Sequence, residues 1–260
     1  MVIDMGKIIA VANQKGGVGK TTSTVNLAAS LGIKRKKVLL IDIDPQGNAT
    51  SGVGINKREI EKSSYDILVG NANAKDVICK TEFKNLFIIP SNIQLAGAEI
   101  ELVEAENRVN VLKKAIVALK EEYDYILIDC PPSLGLITLN ALTACDTLFM
   151  PIQCEYYALE GLTQLMATVR QVKKMYNPTI EVEGVLLTMY DGRLNLTTQV
   201  LQEVKKYYGD KVYKTTIPRN VRLSEAPSFG QPVYYYDKGS TGTKAYLDLA
   251  DELIKKNKVK

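Results

Sequence analysis

The sequence predicts an α/β fold: a doubly wound, mostly parallel sheet with helices on both faces. Three observations lead there. Short apolar runs alternate with longer stretches of helical periodicity along the whole chain. The first run, Ile8-Ile9-Ala10-Val11, enters a glycine-rich turn, Lys15-Gly16-Gly17-Val18-Gly19-Lys20-Thr21-Thr22, which leads into a helical pattern, Val25 to Leu31. The runs themselves are almost continuously apolar, as strands buried on both faces are, and such strands connect by right-handed crossovers. No internal repeat, low-complexity run or linker rich in Pro, Gly or Ser interrupts the pattern, so one domain over residues 1–260 is expected.

Composition narrows the chemistry. The chain is 46% hydrophobic and 24% charged, ordinary for a folded domain with an ample core. A net charge of +4 is too mild to indicate nucleic acid, so any such contact has to come from a local patch. The absence of histidine excludes imidazole as base, metal ligand or neutral-pH switch. The work is left to carboxylates, lysines, hydroxyls, backbone and metal. Cys79, Cys130, Cys145 and Cys154 are scattered without a C-x-x-C pair, and three lie in apolar stretches, which suits reduced thiols in or near a core. Neither a signal peptide before the first strand nor a run of membrane-spanning length is expected.

The elements follow in order. Lys7 to Asn13 reads as a central strand, after a short leader. A helix from about Lys20 to Ile33 ends in Lys34-Arg35-Lys36-Lys37, a solvated turn whose charge also favours a helix C-terminus. Val38 to Asp44 is a strand stopped by Pro45 and Gly47. Residues 48–84 carry weak signals: a turn at Ser51 to Gly54 and a short apolar piece at Tyr65 to Val69. Asn85 to Pro90 is a strand. Ser91 or Asn92 is placed to cap a helix to about Val103, with Ile93, Ala96, Ile100 and Val103 as its inward stripe. Val111 to Leu119 continues in helical register. Tyr125 to Asp129 is a strand broken by Pro131-Pro132, and Asp146 to Pro151 another. Glu155 to Tyr176 is a long amphipathic helix with Leu159, Leu162, Leu165, Met166, Val169 and Val172 inward. Val182 to Met189 is a strand, followed by the loop Tyr190 to Asn195 and a helix. Val212 to Thr215 is short and extended, and a final helix over about Thr243 to Lys256 buries Leu247, Ala250, Leu253 and Ile254.

The glycine-rich turn carries the chemistry. Gly16, Gly17 and Gly19 let the backbone approach a polyphosphate and aim N–H groups at it, and the helix that follows adds the positive end of its dipole. Lys20 is placed to reach the β- and γ-phosphates, and Thr21 to ligate Mg²⁺. Gln14 stands where the usual G-x-x-x-x-G-K-[ST] loop has its first glycine, and Lys15 follows it. Asp42 and Asp44, two apart, point to the same side at the carboxyl end of their strand, where ligands of open α/β sheets bind. Two unpaired buried carboxylates are costly as mere structure. Asp129 ends a third apolar strand and is placed to hold Mg²⁺ through water beside the phosphates.

With its second lysine, Lys15-Gly-Gly-Val-Gly-Lys-Thr-Thr22 is the deviant Walker A box of the ParA/MinD family of P-loop ATPases, and the chain resembles that family from about Lys7 to Lys255. Asp42-Ile-Asp-Pro-Gln-Gly-Asn48 matches its switch I, and the loop at Cys130-Pro-Pro132 its switch II. Gln153 to Leu162 and Ile217 to Ser228 most resemble Soj-type chromosomal ParA proteins of bacteria.

The resemblance implies binding of ATP and Mg²⁺ by residues 15–22, with Asp44 orienting the attacking water, Thr21 and Asp129 serving the metal, and Asp42 a further candidate near it. Lys15 and Lys20 would contact phosphates, Lys15 those of a partner subunit, so that ATP forms part of a homodimer interface. Pro218 and Asn220 would flank the adenine. Arg193 and Arg222 match DNA-binding positions, with Arg219, Lys205 and Lys206 as additions to the patch. Contacts to phosphates would be sequence-independent and salt-sensitive. With little chain before Lys7 for a helix-turn-helix domain, non-specific DNA binding is expected. The implied role is a cytoplasmic, nucleoid-associated partitioning ATPase stimulated by a ParB-type centromere-binding protein. A MinD-like membrane-cycling ATPase is the alternative, and it needs an amphipathic C-terminal tail where Lys255 to Lys260 is merely basic. An electron carrier of the same superfamily would need cluster-binding cysteines, whose spacing is missing.

Overall fold

A computed structural model describes residues 5–155 and 158–258. Seven strands, β1 (Lys7–Val11), β2 (Val38–Asp42), β3 (Cys79–Lys80), β4 (Leu86–Ile89), β5 (Tyr125–Asp129), β6 (Thr147–Gln153) and β7 (Glu181–Thr188), form one sheet in the order β3-β4-β2-β5-β1-β6-β7. All pairings are parallel except the short edge pair of β3 with β4. The helices are α1 (Lys20–Ile33), α2 (Asn48–Gly52), α3 (Ser64–Leu68), α4 (Ala74–Val77), α5 (Leu95–Glu104), α6 (Val111–Ile116), α7 (Leu136–Ala144), α8 (Ala158–Met175), α9 (Asn195–Tyr208), α10 (Val221–Glu225), α11 (Val233–Tyr236) and α12 (Thr241–Lys258).

Side chains alternate across each strand, and the alternation sorts the core into two layers. Ile8, Ala10, Leu39, Ile41, Ile126 and Ile128 pack on the side that holds α5 to α9. Ile9, Val11, Val38, Leu40, Tyr125 and Leu127 pack on the side of α1 and α12. By the same parity the side chains of Asp42 and Asp129 fall on the α1 side. β5 lies between β1 and β2, with Asp129 in register with both Val11 and Asp42. The loops after β1, β2 and β5 therefore meet at one edge of the sheet. In open α/β sheets, that carboxyl edge is where ligand crevices form.

Three assignments made from sequence need correction. The face of α5 is reversed: Leu95, Ala98 and Leu102 are buried, while Ile93, Ile100 and Val103 are 69%, 76% and 53% exposed and Ala96 is exposed too. Apolar residues populate both faces of this helix, so periodicity alone could not choose between them. Ser91 does not cap it; Asn92 Oδ1 accepts the Gln94 N–H, and Ser91 points into the protein. In α12, Leu247 and Ile254 are half-buried, and Tyr246 and Leu249 take the inward positions beside Ala250 and Leu253. Residues 48–84, poor in signal, form α2 to α4 and the antiparallel edge strand. The long helix expected from Glu155 starts at Ala158 among the described residues; Tyr156 and Tyr157 lie outside them.

Gly32 shows how tightly α1 is held. A Cβ there would sit 2.2 Å from the Lys84 carbonyl oxygen, which belongs to backbone and cannot swing away. Gly32→Ala is expected to cost about 2–3 kcal/mol by overpacking, read as a lower urea midpoint with unchanged slope.

Candidate functional site

The turn between β1 and α1 is shaped by backbone that only glycine adopts easily. Gly17 and Gly19 have φ of +75° and +83°, and Gly19 is the N-cap of α1. Nothing lies within 4 Å of where a Cβ would stand on Gly16 or Gly17, so the inside of the turn is open. Two contacts hold it from outside. The Thr188 hydroxyl, at the end of β7, donates to the Val18 carbonyl at 2.8 Å. Asn13 Oδ1 accepts the Lys15 N–H, while its Nδ2 donates to the Pro151 carbonyl.

Both lysines of the turn are engaged internally. Lys20 Nζ donates to the Lys15 carbonyl at 3.0 Å and is only 7% exposed. Burial pushes its pKa down, and the carboxylates of Asp129 and Asp44 oppose that shift. Lys15 Nζ pairs with Glu155 at 2.5 Å. Val18 is buried beneath the turn, and Thr22 lines the cleft described below.

Three aspartates gather beneath the turn. Asp42 is fully buried, and both its oxygens are taken: Oδ1 by the Asp44 N–H, Oδ2 by the Thr50 N–H and hydroxyl. Asp44 is 8% exposed; its Oδ1 accepts the Gln46 N–H. Asp129 accepts the Thr24 hydroxyl on Oδ1 at 2.8 Å, while its buried Oδ2 has no hydrogen-bond partner among the described residues. Burial, and then the neighbouring Asp42, push the Asp129 carboxyl up to about 8; the Thr21 and Thr24 hydroxyls pull the other way. Burial raises Asp42 to about 6 despite its Thr50 bonds.

An orphaned carboxylate oxygen in a protein core is a strong demand for a cation. Asp129 with Thr21 beside it is one carboxylate and one hydroxyl, a donor set that suits Mg²⁺, which keeps several waters and takes phosphate oxygens for the rest. No group of three His, Cys, Asp or Glu that could hold a metal by itself exists among the described residues.

Beside the turn opens a cleft of about 500 Å³ lined by Thr22, Thr188, Pro218, Asn220, Leu223 and Tyr246. The segment before Pro218 runs alongside β7, with the Ile217 N–H bonded to the Leu187 carbonyl and the Tyr190 N–H to the Ile217 carbonyl. Asn220 caps α10: its Oδ1 accepts the Arg222 N–H, and its Nδ2 donates to Thr241 Oγ1. Tyr246 reaches from α12 to the Ser23 hydroxyl on α1.

The basic residues are partly neutralised within the chain. The Arg193 guanidinium, 89% exposed, pairs with Asp191 and holds its carboxyl down at about 2. Arg219, exposed at the cleft, also acts on Asp191, so Arg193 and Arg219 share one neighbourhood. Arg222 pairs with Glu225 and Asp237. Lys205 and Lys206 are exposed in the last turn of α9.

Sequence reasoning missed Thr24, Thr50, Thr188 and Glu155. Thr24 carried a faint signal, one helical turn beyond Lys20. The others meet the site only through the fold, 8 to 170 residues from their partners in sequence.

A profile described as an AAA domain matches residues 6–182. The chain is 63% identical over 249 residues to the sporulation initiation inhibitor protein Soj of Bacillus subtilis, covering 96% of this chain and 98% of that protein. It is 50% identical to the chromosome-partitioning ATPase Soj of Treponema pallidum, covering 96% and 98%. Among solved structures, a cobyrinic acid a,c-diamide synthase from Mycobacterium smegmatis with bound ADP and magnesium superposes with a TM-score of 0.85 at 36% identity, covering 98% and 96%.

Proposed function

The chain belongs to the AAA domain family and, within it, to the Soj and ParA relatives of the ParA/MinD ATPases, and from that premise we propose that it is an ATP-hydrolysing switch of chromosome partitioning. The observation that carries the reading is an open, glycine-shaped turn whose Lys20 feels the Asp129 carboxylate, the buried Oδ2 of which has no hydrogen-bond partner among the described residues.

ATP is the substrate and Mg²⁺ the cofactor. The N–H groups of Gly16 to Thr22 cradle the phosphates, and Pro218 and Asn220 border the base in the adjoining cleft. Lys20, held at the Lys15 carbonyl, exchanges that acceptor for phosphate oxygens. Thr21, and Asp129 through water, would hold Mg²⁺, which would offset the charge that develops on the phosphate oxygens. Asp44 orients the attacking water: its Oδ1 is fixed by Gln46, and no donor among the described residues engages Oδ2. Water oxygen bonds to the γ-phosphorus, the bond to the β–γ bridging oxygen breaks, and ADP and phosphate leave. With both oxygens bonded to the loop, Asp42 shapes that loop rather than serving the metal.

Lys15 leaves Glu155 to contact the phosphates of a second copy, so that ATP closes a homodimer. The dimer binds DNA without sequence preference through Arg193, Arg219 and Arg222, and hydrolysis, stimulated by a ParB-type partner, releases it. A cytoplasmic, nucleoid-associated protein follows from this reading. The inward side of α12 supports it over lipid insertion, since Tyr246, Leu249, Ala250 and Leu253 are buried in the core. No described helix is long and apolar enough to cross a membrane.

The test is DNA binding against salt with ATP, ADP or no nucleotide. We expect ATP-dependent binding that weakens steeply as salt rises. Lys15→Gln and Arg222→Glu should each lower it at least tenfold with nucleotide affinity retained. Equal DNA binding in all three nucleotide states would overturn the switch.

A further inference from the structure

Helix α5 touches both loops of the site. At its entrance the buried Ser91 hydroxyl donates to the Asp44 carbonyl at 2.8 Å, and the Ser91 N–H donates to Thr50 Oγ1 at 2.9 Å. Thr50 in turn donates to Asp42. Two turns further on, the Glu99 carboxylate accepts the N–H groups of Leu136 at 3.0 Å and Ile137 at 3.3 Å, the first residues of α7. Gly135 packs against the same carboxylate so closely that a Cβ there would lie 2.4 Å from Oε1. α7 begins where the loop leaving Asp129 ends, and Thr138 closes that loop by donating to the Ser133 carbonyl at 2.6 Å. Between the two contacts α5 is anchored in the core by Leu95 and Ala98, and just beyond them by Leu102.

A negative charge on the first N–H groups of a helix is stabilising, because those donors lack intrahelical acceptors and the dipole is positive there. Glu99 therefore fixes where α7 starts, and with it the end of the loop that follows Asp129. Ser91 fixes the backbone of Asp44. Ser91 precedes α5 by four residues and Glu99 lies in its second turn, so the two contacts sit on one short segment, the turn at 91–94 and the first residues of α5.

We propose that α5 is a mechanical tie between the loop of Asp44 and the loop of Asp129, with Ser91 and Glu99 as its positioning residues. This rests on the ATPase reading for its effect on turnover, but the tie itself is a property of the chain. A shift of either loop is passed to the other through α5, so Asp44 and the Asp129 loop reach their working positions together. Neither Ser91 nor Glu99 lines the cleft beside the glycine turn.

A double-mutant cycle tests it, with full-length Ser91→Ala, Glu99→Ala and the double variant. Distant sites with no shared partner add in their effects. A tie predicts the opposite: each single substitution lowers kcat about tenfold or more with KM for ATP within twofold, and the double variant is little worse than either. Glu99→Gln, which keeps one acceptor, should recover part of the loss. Leu102→Val, at a buried core position of α5 beyond Glu99, should lower thermal stability and leave kcat unchanged. Amide hydrogen exchange supplies a readout free of turnover. Glu99→Ala should speed exchange at residues 44–50, and Ser91→Ala at residues 130–138. Additive losses in kcat, or exchange that changes only beside each substitution, overturn the tie. If the wild-type protein fails to hydrolyse ATP, the ATPase reading falls and the exchange measurements alone decide the tie.

Discussion

Asp44→Ala is expected to lower ATP turnover at least about a hundredfold while leaving ATP affinity within a few-fold, as loss of a positioned general base or water-orienting group does. Asp44 is the carboxylate of the three with a free oxygen and access to solvent: it is 8% exposed, where Asp42 and Asp129 are sealed. Its Oδ1 bond to the Gln46 N–H and its own N–H on Asp42 fix its direction. Removing the side chain leaves Lys20, the glycine turn and Asp129 intact, so binding survives and chemistry does not. ATP-dependent DNA binding should persist and outlast that of the wild type. Steady-state turnover beside equilibrium nucleotide binding checks this; a large loss of affinity would place Asp44 in the cradle instead.

The second large effect concerns pH. In metal-free buffer the protein should lose stability as pH rises from about 5 to about 8. Burial pushes the Asp129 and Asp42 carboxyls up to about 8 and about 6 in the folded chain, against 3.8 for an ordinary aspartate. Across that window the folded state holds more protons than the unfolded one, so raising the pH favours unfolding. The stabilising contribution is present below the unfolded pKa and is gone above the folded one. Its size is on the order of a few kcal/mol. The window is clean, because the chain has no histidine to titrate in it. Asp129→Asn should flatten most of the slope and abolish Mg²⁺-dependent turnover. Adding Mg²⁺ with nucleotide should raise the wild-type melting temperature more at pH 8 than at pH 5, since the cation satisfies the charge that burial penalises. Melting curves across pH, with and without Mg²⁺, decide it; stability that is flat or rising from pH 5 to pH 8 would contradict the carboxylate cluster as described.

The architecture was legible in the sequence, and so were the residue types that the fold gathers at the carboxyl edge of the sheet. Apolar strands, a glycine turn with lysines at both ends and aspartates at strand ends are local statements, each readable within a dozen residues, because period and turn chemistry are local properties. Tertiary structure decided the rest. It chose the buried face of α5, because both faces of that helix carry apolar residues and packing against α3 and α7, not periodicity, selects among them. It turned Ser91 away from a cap and onto Asp44, aimed Glu99 at the start of α7, and paired Lys15 with Glu155 and Arg222 with Glu225 and Asp237. Apart from the i,i+3 pair of Arg222 with Glu225, such contacts join residues well separated in the chain, where no local pattern announces a partner. Most of all it left Asp129 Oδ2 buried and without a hydrogen-bond partner among the described residues: a sequence shows that an aspartate ends a strand, but only the packed fold shows which of its oxygens is sealed in.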